Sequence, residues 1–141
     1  MSILPDGPWS VLQGEYDERP MFVRLNAGAG AVAKSAALAH RIGIAVPLLS
    51  PNDEGLPSSS ESAVLVSIED ALCDSLRAGT EVILTVVITT SGMREFVFYC
   101  AVSAHVSSAV TSVRERFLSY EIQLIEENDP EWVVYDQFVT A

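Results

Sequence analysis

The stretch Gly28-Ala29-Gly30-Ala31-Val32-Ala33-Lys34-Ser35 comes nearest to a chemical motif in this chain. It reads GxxxxAKS, one substitution away from a phosphate-binding loop whose second glycine lets backbone N–H groups wrap a phosphate. Ala33 stands where that glycine belongs, and no apolar strand ending in Asp follows to hold a magnesium ion. Lys34 is the only lysine, yet the segment reads better as an Ala-rich connector. His40 and His105 are far apart, each without a Cys, His or carboxylate at an established ligand spacing. Glu69, Asp70 and Asp74 fall at i, i+1 and i+5, which is not the oxygen cage of a calcium loop. Cys73 and Cys100 show no CxxC spacing and read as small buried hydrophobes. There is no GxSxG to place a nucleophile beside a base, and nothing selects a catalytic pair from the nineteen acids. No catalytic, metal or cofactor residue is assigned, and the chain leans away from being an enzyme.

The most distinctive stretch is the acidic and aromatic tail, Glu126 to Asp136. Asp129 can cap a turn that Pro130 starts, after which Trp132, Tyr135 and Phe138 recur at i, i+3 and i+6. Two readings compete. The aromatics are core, or Glu126, Glu127, Asp129, Glu131, Trp132, Tyr135 and Asp136 form an interaction surface for a basic protein. Core packing is favoured for the aromatics. The charge balance supports a basic partner: eight basic residues face nineteen acidic ones, for −11, and no basic residue follows Arg116. Such a surface steers basic partners, although a solvated face that maintains solubility is the blander account. The same sign disfavours direct nucleic-acid binding and anionic membranes.

At 141 residues and 49% hydrophobic content, the chain fits one domain spanning 1–141, large enough to fold without disulfides or metal. Met1 to Pro8 lacks a basic and apolar leader, and the longest apolar run, Val82 to Ile88, is too short to span a bilayer. A cytoplasmic protein with reduced thiols is the expectation.

Trp9–Glu15 and Pro20–Asn26 flank a turn and read as a hairpin. Residues 27–40 read as a loop leading into a short helix. Arg41–Leu49 is a strand with Ile42, Ile44 and Val46 on one face and Pro47 near its end. Ser58 and Glu61 have capping-box spacing before a helix whose stripe is Leu65, Ile68, Leu72 and Leu76. Glu81–Thr90 is the strongest strand, with Val82, Leu84, Val86 and Ile88 in strict alternation. Ser91-Gly92 then turns it into Arg94–Val102. Ser103 or Ser107 caps a helix carrying Val106, Val110, Val113 and Phe117, and Tyr120–Ile125 is the last clear strand. The order from Arg41 is strand, helix, strand, strand, helix, strand. That is an α+β, ferredoxin-like βαββαβ core over residues 41–127, with an extra N-terminal β-hairpin and two helices on one face of a mixed or antiparallel sheet. The other face then needs a cover, from the hairpin or a second subunit, and a homodimer is expected.

Several of these pieces together resemble the bacterial domain-of-unknown-function family DUF 695. They are Trp9 with Gly14-Glu15, Pro20 to Asn26, Ile68-Glu69-Asp70, Gly92-Met93-Arg94-Glu95-Phe96 with Tyr99, and Asp129-Pro130-Glu131-Trp132 with Tyr135. The resemblance spans nearly the whole chain and implies an α+β fold, with no catalytic residues to carry over. It also implies a distant likeness to the regulator of ribonuclease activity B, a small acidic inhibitor, through the Asp-Pro-x-Trp tail. Two functions follow. The first is an acidic, non-enzymatic interaction or regulatory module whose binding weakens with salt and with neutralisation of the Glu126–Asp136 acids. The alternative is a small-ligand-binding or hydrolytic domain with a pocket near the 27–57 connections, using Arg24, Lys34 or Arg94.

Overall fold

The computed structural model describes residues 4–140. Met1 to Ile3, the start of the stretch read for a leader, and Ala141 lie outside the described residues. The chain is α+β, built on one six-stranded sheet in the order β1-β2-β4-β5-β3-β6. Every neighbouring pair is antiparallel.

The N-terminal hairpin is β1 (Trp9–Tyr16) and β2 (Arg19–Asn26). Asp17 and Glu18 at its turn both have positive φ, the backbone twist that a two-residue hairpin turn demands. The hairpin pairs through β2 with β4 (Val82–Thr90) and lengthens the sheet rather than covering it. Ser91 and Gly92, both at positive φ, turn β4 into β5 (Met93–Cys100). Beyond it lies β3 (His40–Pro47), held by β5 on one side and by the edge strand β6 (Gln123–Asn128) on the other. Pro47 is tolerated because β6 pairs with β3 only from His40 to Ala45.

The last strand begins and ends three residues later than its alternation predicts. Glu126 and Glu127 are therefore strand residues, and both bond across to β3: Glu126 to His40 at 3.0 Å and Glu127 to Arg41 at 2.7 Å. These cross-strand pairs, which periodicity does not register, set the strand's limits.

The alternation read for β4 also breaks. Val82, Leu84 and Val87 face one side, whereas Ile83, Val86 and Ile88 face the other. The register shifts between Leu84 and Val86, where Thr85 is fully buried and donates its hydroxyl to the Val97 carbonyl at 2.8 Å. One extra residue in a strand reverses every side chain beyond it. The single polar residue in the apolar run Val82–Ile88 was the available sign.

One face carries the two expected helices, α1 (Ser59–Arg77) and α2 (Val106–Arg116). Leu65, Ile68, Leu72 and Leu76 pack with Val106, Val110 and Val113 onto Ile42, Ile44, Val46, Phe96 and Phe98. Ser58 caps α1 by accepting from the Glu61 N–H at 3.1 Å. Neither Ser103 nor Ser107 caps α2; His105 holds that position and bonds instead to the Ser75 carbonyl near the end of α1, at 3.0 Å.

The opposite face is closed by the chain's own residues. Residues 27–40 form two 3₁₀ turns, Ala27–Ala31 and Ala36–Leu38, instead of a loop and a helix. They lie with a third helix, α3 (Val133–Val139), over Val23, Leu25, Ile83, Val86, Val97 and Tyr99. The ground for expecting a homodimer, an uncovered face, is thereby gone. Gly28 is pressed so closely on the N-terminal segment that a Cβ there would stand 2.0 Å from the Gly7 carbonyl oxygen. The glycine of the near-miss motif therefore serves packing.

Candidate functional site

The tail is anchored inward. Trp132 is fully buried, stacks on Tyr99 at 4.1 Å and donates its Nε1–H to the Leu38 carbonyl at 2.8 Å. Tyr135 is also buried and donates its hydroxyl to the Asn26 carbonyl at 2.8 Å. Asp129 accepts from the Tyr99 hydroxyl at 2.8 Å and from the Val133 N–H at 3.0 Å, which caps the start of α3. Burial and the bond to Asp129 push the Tyr99 phenol far above its usual value. Arg41 Nε lies 3.2 Å from Asp129 Oδ2, as a Coulomb contact.

Trp132, Tyr135 and Asp129 are therefore removed from any docking surface. Of the other named acids, Glu126 bonds to His40, Glu127 to Arg41, and Asp136 to Lys34 at 3.0 Å. The bond and charge of Asp136 hold the Lys34 amine above its usual value. Glu131 is exposed and has no ion pair among the described residues. The one lysine thus ties the near-miss loop to α3.

A concavity lies elsewhere, beside α1. Adding β1 and β2 to the sheet extends it past the helix and leaves a cleft of about 910 Å³ between the α1 flank, the start of β4 and residues 4–9. Val23 and Leu25 face away from the helices, so strand alternation turns Arg24 into this cleft. Its guanidinium pairs with Glu69 of α1 and lies 5.4 Å over the Trp9 ring. Trp9 donates its Nε1–H to Asp6 at 2.8 Å. Close by, Arg94 donates its Nε–H to the Thr89 hydroxyl at 2.9 Å. Burial, then the like charge of Arg24, lower the pKa of Arg94, with Glu69 opposing. Arg94 and Glu95 do not form an exposed pair: as neighbours in β5 they point to opposite faces.

Five carboxylates line the cleft (Asp6, Glu69, Asp70, Asp74 and Glu81) against Arg24 and Arg77. The signal for this site was the set of acids Glu69, Asp70 and Asp74 on α1, whose spacing spoke against a calcium loop but pointed to no other role. The charge of Arg24 reaches Arg94, but Arg94 does not line the cleft, and Lys34 is on the opposite face with Asp136. Neither this cavity nor a smaller one near Tyr16 is lined by residues 27–57.

A family model described as a family of unknown function, DUF695, matches residues 7–140. The chain belongs to the DUF695 family. The match takes in every element from β1 to α3, so the buried tail and all of the cleft's walls except Leu4, Pro5 and Asp6 lie within the DUF695 region. Comparison with curated proteins and with solved structures returned no match. These comparisons show no likeness of the tail to the regulator of ribonuclease activity B.

Cys73 borders the cleft, yet burial pushes its thiol up to about 11, and the carboxylates of Glu69, Asp70 and Asp74 push the same way against Arg77. Burial holds Cys100 at about 11 as well. At pH 8 about a thousandth of either thiol is thiolate, and the thiolate is the reactive form. We expect iodoacetamide to label both thiols in the native protein at least about tenfold more slowly than in urea. Rapid labelling of native Cys73 at pH 8 would contradict this and reopen a nucleophilic role. Among the described residues no three His, Cys, Asp or Glu side chains converge to hold a metal ion. No helix among them is long and apolar enough to cross a membrane.

Proposed function

We propose that this DUF695 protein is an acidic, non-enzymatic interaction module that takes a basic segment of a protein partner into the cleft beside α1. One observation carries the reading: five carboxylates and an indole line a single concavity in a chain of net charge −11. Arg24 already rests on Glu69 and against the Trp9 ring, so the chain's own guanidinium occupies the kind of seat a partner's Arg would use. The tail, by contrast, spends four acids on the chain's own His40, Arg41 and Lys34. The cleft thus replaces the tail as the surface offered to the partner.

The reading of residues 41–127 as a ferredoxin-like unit belongs to the same proposal. It is supported by the order β4-β5-β3-β6, in which each of the helices α1 and α2 joins strands separated by one antiparallel neighbour. In this view the hairpin β1–β2 is the addition that creates the cleft.

The test is a fluorescence titration with an oligo-arginine peptide, read at low and at physiological salt. Binding is expected to weaken steeply as salt rises. The double variant Asp70→Asn, Asp74→Asn should lose about fivefold in affinity at low salt, while Glu121→Gln with Glu131→Gln changes it by less than about twofold. Equal losses in the two variants would assign the effect to net charge and sink the cleft as a specific site.

A further inference from the structure

The smaller cavity, about 510 Å³, lies on the α3 face of the sheet, at the end of β4 and β5 nearest the Ser91-Gly92 turn. That volume is within the range of small-molecule sites. Its walls are Tyr16, Met21, Ile88, Met93 and Phe138, and Glu95 is the only charged residue that lines it. Glu95 stands opposite Ile88 in β4 and Ala45 in β3, so its cross-strand neighbours on both sides are apolar. Among the described residues no salt bridge engages it. Arg41 is the cation whose charge reaches it, but that guanidinium is committed to Glu127 at 2.7 Å and Asp129 at 3.2 Å.

We propose that this groove binds a small apolar molecule bearing a protonated amine, with the ammonium on the Glu95 carboxylate and the hydrocarbon against Met21, Ile88 and Phe138. A half-buried carboxylate with no partner carries a desolvation cost that a cation relieves, and a purely apolar ligand does not. Burial accordingly raises the Glu95 carboxyl above its usual pKa. A single carboxylate suits a compact ammonium better than a guanidinium, whose fork seeks two parallel acceptors. The two methionines lend the wall the adaptable packing such sites use. The net charge of −11 draws cations to the surface in general, while the apolar wall selects among them.

The experiment is an amide-resolved NMR titration of the full chain with hexylamine and, separately, with the neutral isostere hexanol. Hexylamine is expected to shift the amides of Met21, Ile88, Met93 and Glu95, and to bind at least about tenfold more tightly than hexanol. Glu95→Gln should bring hexylamine down to the affinity of hexanol while leaving hexanol binding unchanged, which also shows that the groove still folds. Equal affinity of the two probes for the wild type would overturn the proposal and leave only an apolar groove. So would the absence of shifts in the groove up to about 10 mM hexylamine, or shifts confined to the α1 cleft. The Asp70→Asn, Asp74→Asn variant should bind hexylamine in the groove as the wild type does, so failure of this site and failure of the cleft are separable.

Discussion

Trp132→Ala is expected to destabilise the protein by about 3–5 kcal/mol and to lower Tm by on the order of 10–15 °C, with unfolding still cooperative. Three losses combine in that figure. The indole is fully buried, so its removal leaves a cavity under α3. It stacks on Tyr99 with an interplanar angle of 13° and meets Tyr135 edge-on at 5.3 Å, contacts that add to simple burial. Its Nε1–H is also the partner of the Leu38 carbonyl, which becomes a buried unsatisfied acceptor. The backbone at Trp132 is left-handed (φ 53°), a strained state for a large residue that the surrounding contacts must maintain. Trp132→Phe restores much of the volume but not the donor and should cost about 1–3 kcal/mol. Thermal unfolding followed by circular dichroism checks both. A drop under about 3 °C for Trp132→Ala would show that the tail is not an anchor and would return Trp132 to the list of docking residues.

Glu61→Gln is the second large effect, with an expected cost of about 2–3 kcal/mol at pH 7 that shrinks in acid. The residue has the capping-box position in α1, but its carboxylate does not reach back to Ser58. It is buried and accepts from the Leu49 N–H at 2.6 Å, the Ser50 N–H at 3.1 Å and the Tyr120 hydroxyl at 2.8 Å. Three donors converge on two oxygens, so an amide in their place must turn an NH₂ towards another donor. Burial alone would raise the carboxyl pKa. The bonds from Leu49, Tyr120 and Ser50 together outweigh it, and the net shift is downward from 4.5. Because the folded value is the lower one, this carboxylate contributes stability that is present above pH 4.5 and lost as pH falls through the folded pKa. Burial and the Glu61 bond push the Tyr120 phenol up to about 12, so it remains a donor throughout that range. Urea unfolding of wild type and variant at pH 7 and at about pH 3 should show the gap narrowing. A gap of constant size would mean that lost packing, not the carboxylate, accounts for the cost.

Short-range pattern was enough to locate most elements of this chain. The Leu65-Ile68-Leu72-Leu76 stripe, the Ser58 cap and the Ser91-Gly92 turn each lie within one helix or one hairpin, and each is found where its spacing indicates. Asp129 does accept from an N–H close by in sequence, but it is that of Val133, where α3 begins, and not one in a helix started by Pro130. Where one element ends because another meets it, spacing was silent. The bulge at Thr85 depends on the carbonyl of Val97 in the next strand, and the continuation of β6 to Asn128 goes with side-chain bonds to β3 across 86 residues.

The site follows the same division. Composition alone established a chain with excess negative charge and no recognisable catalytic constellation. Which acids remain free was a matter of contacts between distant segments: Asp136 found Lys34 and Glu127 found Arg41, whereas Asp70 and Asp74 have no ion pair among the described residues. The tail aromatics turned inward because Leu38 and Asn26, 94 and 109 residues away along the chain, offer them buried carbonyls. Periodicity reports that a face is buried but not against what. Burial of a polar atom must be matched by a partner, and where partners are a hundred residues apart only the assembled sheet, with its helices on both faces, brings them together.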